Sequence, residues 1–317
     1  METKKMTVAN INMVFGKDEE PMIYHLDDII LPALNSQIKK KSGRDTRLFF
    51  EDVKLRELKN EIVLAGLLIK DTILEVRSEY NDSDGLKNTN IQMPSAPYSL
   101  FMIFLKNHRM VLVKNQKGSP DIRSFNSTLH NVINTYITSE NERRKIEEKE
   151  LLLRPKSINV TGIKTEESVK EVLKDVEKVE SITLKFYPLN GEWDLDPLYG
   201  VIDETRKKLN SRTGRMVFNS PGNTNAVIKI IEESDGMAET QMKVRYSNDS
   251  SLSGTKRTAT IKDSQISENM NIDVSGELKD AYDEVYGAKG DIKSLNTESA
   301  HNIIYYEEFL RKRNNNG

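Results

Sequence analysis

Residues 98–116 read YSLFMIFLKNHRMVLVKNQ, two apolar runs on either side of the short polar turn KNHR. Each run is too short for a buried helix of ordinary length and is rich in β-branched and aromatic residues, so the segment predicts a β-hairpin around Asn107 and His108. The other strongly apolar stretch, EIVLAGLLIKDTILEV, has the same character. Charge breaks both stretches well short of the roughly 20 apolar residues that a membrane helix requires. A chain organised around such hairpins is committed to antiparallel sheet.

Further strands are expected in MTVANINMVF (about residues 6–15), TRLFFEDVKLREL, EIVLAGLLIK and TILEVRSEY. In HLDDIILPALNSQIKKK, residues Ile29, Ile30, Leu34 and Ile38 lie at helical spacing, with Pro32 forcing a late start or a kink. NDSDGLKNTNIQMPSAP reads as a polar loop. After the hairpin, Ser119 as N-cap, Pro120 at the first helical position and Asp121 at the positive helix end predict a helix over 120–138. Its apolar stripe is Phe125, Leu129, Val132, Ile133 and Tyr136.

The doubly charged segment SENERRKIEEKELLLRP looks like a solvated helical connector. Beyond it KSINVTGIK restarts a strand, and TEESVKEVLKDV is a helix with a capping box at Thr165. SITLKFYPL is a strand, DPLYGVIDETRKKLNSR a helix with Leu198, Val201, Ile202 and Leu209 on one side, and SPGNTNAVIKIIEESDG a shorter helix. AETQMKVRYS, TKRTATIKD and NMNIDVSG are strands, and helices are expected over 277–288 and 298–313. Hairpins dominate both halves. The expectation is an α+β protein of two mostly antiparallel domains with packed helices, residues 1–138 and 156–317, joined by the connector 139–155.

The chain contains no cysteine, which excludes disulfides, thiolate catalysis and cysteine-held metal. The N-terminus has no secretory core, so a cytoplasmic setting and no membrane are expected. A net charge of −2 lacks the basic excess of a nucleic-acid coat, leaving local patches as the route to phosphate binding. Three clusters mix bases with Gly or Ser. They are Lys39, Lys40, Lys41, Arg44 and Arg47 in KKKSGRDTR, Lys114 and Lys117 beside Lys106 and Arg109, and Arg206, Lys207, Lys208, Arg212 and Arg215 in RKKLNSRTGR. On one face they would form a nucleic-acid footprint; separately they are solvated helix and strand ends.

Catalytic constellations are sparse. Arg123 and His130 are about two helical turns apart and project from nearly one face. An Arg, six residues and a His resembles the active-site motif of the HEPN ribonucleases, which implies phosphate stabilisation by Arg123 and proton transfer by His130 across a dimer. Those domains are all-helical, and a surface Arg beside a helix-face His gives the same pattern. Asp52 and Lys54 in EDVK, two apart on a predicted strand, suit a metal-dependent nuclease with Asp27, Asp28 or Asp45, and suit equally a solvated strand face. Glu192, Asp194 and Asp196 form an acidic cluster at a helix start. No His pair has metal-ligand spacing, no phosphate-binding glycine loop is present, and no cofactor is expected.

The order SITLKFYPLNGEWDLDPLYGVIDETRKKLNSR, NTNAVIKIIEESDG and SGTKRTATIKD, with YSLFMIFLKNHRMVLVKNQKGSPDIRSF before it, is similar to a family of uncharacterised bacterial proteins encoded near restriction and phage-resistance genes. Pro188, Asn190, Asp194, Asp196 and Arg206 occupy that pattern's places. The resemblance implies a role in anti-phage defence and no established catalytic residue. The reading is therefore a non-enzymatic defence component that binds nucleic acid, a partner subunit or both, and forms a homo-oligomer. The alternatives are a ribonuclease using Arg123 and His130, or a metal-dependent nuclease around Asp52 and Lys54.

Overall fold

The computed structural model describes residues 1–59, 61–190, 197–246, 257–267 and 269–316, and its fold is α+β. The first sheet is built from β1 (Glu2–Phe15), β2 (Glu20–Pro21), β3 (Lys40–Lys41), β4 (Arg47–Leu58), β5 (Glu61–Asn81), β6 (Gly85–Ser95), β7 (Tyr98–Phe104) and β8 (Arg109–Lys114). Between β2 and β3 the chain coils through residues 22–30 into the single turn α1 (Leu31–Leu34), and after β8 comes the long helix α2 (Ile122–Ile146). Then follow β9 (Pro155–Gly162), α3 (Glu166–Leu173), β10 (Val176–Phe186), α4 (Pro197–Lys208), β11 (Gly214–Asn219), α5 (Thr224–Glu233), β12 (Ala238–Tyr246), β13 (Thr258–Lys262), α6 (Asp263–Ile266), β14 (Asn269–Val274), α7 (Tyr282–Gly287) and α8 (Ala300–Asn316).

The first sheet runs β14-β1-β8-β7-β5-β4-β3, all antiparallel, with β2 and β9 also on β1 and β6 on β5. Its central strands read as unbroken apolar runs because both faces are covered. Ile11, Met13, Phe101, Ile103 and Leu64 point into one core with Phe125, Leu129 and Ile133 of α2 and Phe309 of α8. Met6, Val8, Leu100, Met102 and Val63 point into a second core with Tyr282 and Val285 of α7 and Leu295. Phe101 and Phe125 meet edge to face with centroids 5.1 Å apart.

A second, four-stranded sheet has the order β11-β10-β12-β13. Its alternation is regular in β12 and from Ile182 to Phe186 of β10, and irregular earlier in β10. Ile182, Leu184, Phe186, Met242 and Val244 are buried under the helices of this lobe with Val169 and Ile231, and the intervening side chains face away from them.

Several expectations change. The boundary is not at 139–155: α2 continues to Ile146, and β9, β14, α7 and α8 all belong with the first sheet. The second lobe is thus an insertion between β9 and β14, and residues 156–317 do not form a separate unit. The strands EIVLAGLLIK and TILEVRSEY are one 21-residue strand, β5. The segment expected as a polar loop is β6, which turns back on β5 through NDSDG, where Asn81 Oδ1 accepts from Asp84 N at 2.7 Å and Gly85 sits at φ 70°. The helix expected to reach Ile38 ends at Leu34. The N-cap of α2 is Asp121, whose carboxylate accepts from Ser124 N at 2.9 Å, and not Ser119.

Buried polar contacts clamp the lobes together. Arg109, 1% exposed, donates from Nη1 to the Asp235 carbonyl at 2.8 Å and from Nη2 to Asp235 Oδ2 at 2.5 Å. Asn190 donates to the Ile11 carbonyl at 3.0 Å and to Asn12 Oδ1 at 3.1 Å. Lys164, 2% exposed, donates to the Ala238 carbonyl at 2.9 Å and pairs with Asp263 at 2.5 Å.

Candidate nucleic-acid interface

The clamp leaves a cavity of about 630 Å³ between α2 and the helix-free face of the second sheet. Arg123, Ser127 and His130 form one wall, because positions 123, 127 and 130 recur every three or four residues on the side of α2 opposite its apolar stripe. Lys185, Tyr187, Glu239 and Lys262 form the other, because they occupy the outward positions of β10, β12 and β13.

Both acids on these walls are engaged, Asp263 by Lys164 and Glu239 by Tyr187 and Lys185, and Arg123 and Lys262 are left without an acidic partner there. Asp263 accepts from Thr240 N at 2.9 Å and from Gly162 N at 3.2 Å besides its pair with Lys164. Glu239 accepts the Tyr187 hydroxyl at 2.6 Å and lies 3.8 Å from Lys185 Nζ. Burial, the Glu239 hydrogen bond and its charge together push the Tyr187 phenol far above its usual range, so it stays a donor. Arg123 Nε donates to Ser264 Oγ at 2.9 Å. Arg215 and Lys262 make no ion pair among the described residues. The surface is a half-enclosed cationic cleft rich in hydroxyls and amides, a chemistry suited to phosphate oxygens.

The basic clusters divide. Lys40 Nζ donates to Ser127 Oγ at 2.6 Å, on the rim of the cavity, and burial lowers its ammonium pKa. Lys114 and Arg123 both act on the Asp121 carboxylate, which places Lys114 near the start of α2. Arg215 lines a smaller hollow with Thr183, Lys185, Glu239 and Gln241, continuous with the cavity through Lys185 and Glu239. Lys39 stands 4.5 Å from the Phe49 ring centroid, Lys41, Arg44 and Arg47 are exposed around the tip of the β3–β4 hairpin, and Lys117 is in the exposed turn after β8. Lys207 pairs with Asp203 at 2.7 Å and Lys208 with Glu204 at 3.3 Å, while Arg212 is exposed.

Arg206 is a correction. It is 3% exposed and bound to Glu19 and Asp203, so it holds the lobes together and offers nothing to a phosphate. Lys185, Lys262 and Tyr187 were missed, although the alternation of SITLKFY carries the signal of Lys185 and Tyr187, and Lys262 follows the buried Ile261 in TATIK.

Arg123 and His130 do share one cavity within a single chain. His130 Nε2 is 2.8 Å from the Ile158 carbonyl and donates to it, which leaves Nδ1 as the ring acceptor. Asp52 and Lys54 do not share a regular strand face. A bulge interrupts the pairing between Glu51 and Lys54, Asp52 has φ 51°, and its carboxylate is paired with Lys54 and with Arg56 at 2.7 Å. Asp27 pairs with Arg313 and Asp28 with His25, and no group of three or more His, Asp or Glu able to hold a metal occurs among the described residues. Glu192, Asp194 and Asp196 lie outside the described residues.

Compared with protein-family models, curated proteins and solved structures, the chain matches none. What defines it is its α+β fold and the groove between its two lobes lined by Arg123, Lys185 and Lys262, and its function is argued from that groove.

Proposed function

We propose that this protein binds nucleic acid in the cleft between α2 and the open face of the second sheet, without chemistry of its own. The observation that carries the reading is that Arg123, Lys185 and Lys262, from three distant parts of the chain, line one cavity with two acids, of which Asp263 is held by Lys164 and Glu239 is shared by Tyr187 and Lys185. Lys40 and Lys114 beside α2, and Arg215 beside Lys185, extend the same positive track. Few aromatic faces are offered for base stacking, so the grip is on the backbone and tolerant of sequence. The resemblance to proteins encoded beside restriction genes suggests a role in anti-phage defence, in the cytoplasm. Titrating labelled RNA and DNA oligonucleotides at several salt concentrations tests the binding; affinity independent of salt, or no affinity, would overturn it.

A second reading follows from the shared cavity of Arg123 and His130: a ribonuclease in which His130 moves the proton and Arg123 steadies phosphate charge. Incubating RNA with the protein and with His130→Ala separates the two. Cleavage lost in that variant would establish the ribonuclease, and intact RNA bound equally by both supports the binding protein.

A further inference from the structure

From Thr72 to Ser95 the outer half of β5 and all of β6 leave the sheet as a two-stranded ribbon. Pairs across the ribbon point to one side, so Leu74 with Met93 and Val76 with Ile91 share a face, and Tyr80 faces Leu86 further out. Leu74 is 54% exposed, Met93 52%, Tyr80 71% and Leu86 72%. A lone two-stranded ribbon is marginal in water, and an apolar stripe along it is a docking surface in want of a cover. The ribbon carries four acids, Glu75, Glu79, Asp82 and Asp84, against Arg77 and Lys87. Its charge speaks against nucleic acid and for a basic, apolar protein surface.

Such a surface exists on this same chain. β11 is an edge strand of the second sheet, paired to β10 alone among the described residues. It exposes Val217 at 50% and Phe218 at 42%, and Leu209, 73% exposed, lies just before it. Around these stand Lys207, Lys208, Arg212 and Arg215, with two acids, Asp203 and Glu204, in the same stretch. Asp203 is held by Arg206 and Lys207, and Glu204 by Lys208, which leaves Arg212 and Arg215 as the positive charges beside β11. One surface is an acidic apolar ribbon with free strand edges; the other is a basic apolar strand with a free edge.

We infer that the ribbon of one copy docks on the β11 edge of a second copy, extending its sheet by strand addition. Backbone hydrogen bonds would supply register-independent affinity, the apolar stripes would cover one another, and Glu79, left over once Arg77 holds Glu75, would face Arg212 beside β11. Exchanged in both directions, the contact closes into a twofold dimer. This goes beyond the proposed nucleic-acid binding and does not depend on it.

Sedimentation velocity of the full chain over a range of concentrations tests the inference. Self-association is expected, weakened at least tenfold by Leu74→Asp and by Val217→Asp. Glu79→Lys and Arg212→Glu are each expected to weaken it, and one chain carrying both changes is expected to recover. Recovery by charge exchange cannot come from a variant that merely folds poorly. Because the chain has no cysteine, Glu79→Cys mixed with Arg212→Cys should give a disulfide-linked pair only when both are present. A monomer at every concentration overturns the inference. So does an assembly that survives Val217→Asp and shows no recovery, which would mean that ribbons pair with each other.

Discussion

Arg206 grips Glu19 with both ends of its guanidinium, Nη1 2.6 Å from Oε1 and Nη2 2.5 Å from Oε2. Arg206 lies on the second lobe and Glu19 on the turn after β1, and both side chains are nearly sealed from solvent. Removing Arg206 leaves Glu19 to Lys156 alone and Asp203 to Lys207, so the cost lies toward the low end of the about 3–5 kcal/mol of a fully orphaned buried charge. Arg206→Met is therefore expected to lower the unfolding free energy by that order. The double variant with Glu19→Leu should be closer to wild type than either single one, a pattern that denaturant titration of the four proteins would check.

The same pair predicts acid sensitivity. Burial alone would raise the pKa of Glu19, but hydrogen bonds and charges from Arg206 and Lys156 outweigh it and hold the carboxyl below its ordinary value. A carboxylate with a depressed folded pKa stabilises the fold above its unfolded pKa, and that contribution is lost as pH falls through the folded value. Stability should decline below about pH 4.3, and the decline should be shallower in Glu19→Gln. Thermal melts from pH 3 to pH 7, a range spanning the reference value of a free glutamate, would read both slopes.

Gly236 sits at φ 76°, and a Cβ there would approach Asn10 Cβ to 2.8 Å and Ile163 to 3.3 Å. The first contact is against a rigid β-strand of the other lobe, so the junction must shift. Gly236→Ala is expected to destabilise by more than the ~1 kcal/mol that a compatible glycine replacement changes, and to loosen the lobes. Hydrogen exchange at Asp235 and Met237 should rise before that of α3.

Charge removal in the cleft should act through counterion release. Lys185→Gln and Lys262→Gln are each expected to weaken oligonucleotide binding and to reduce the slope of log K against log salt by about 0.7–0.9. Lys208→Gln, on a lysine paired with Glu204 away from the cleft, should leave that slope unchanged. Equal slopes in all three variants would move the contact surface off the cavity.

Much of the fold was legible where periodicity is a sum over many residues. The hairpin at KNHR, the helix carrying Phe125 and Leu129, and the alternation of the second sheet follow from the spacing of apolar side chains alone. Of the β5–β6 ribbon, the β5 half was legible in TILEVRSEY and β6 was not. Its strand character comes from a tight turn at NDSDG and from ladder hydrogen bonds, whereas its side chains are polar or exposed and carry no burial pattern. The domain boundary failed for a different reason. A charged stretch such as SENERRKIEEKE reads alike whether it links two domains or forms the outer end of a helix, and only the long-range pairing of β9 and β14 with β1 decides. Among site residues, Arg206 misled because a basic run does not disclose which of its members turns inward. Lys185 and Lys262 were passed over because each stands alone in its strand, with no neighbouring base to draw notice.

β1 also sets a schedule. It pairs with β14, which ends at Val274, and Thr3 meets Asp273 at 2.8 Å across a separation of 270 residues. Until β14 is made, the edge of β1 over Glu2–Thr7 lacks the partner that it has in the fold. Completion of the first sheet therefore waits on β14, and closing that edge is a late step whatever the order in which the other strands pair.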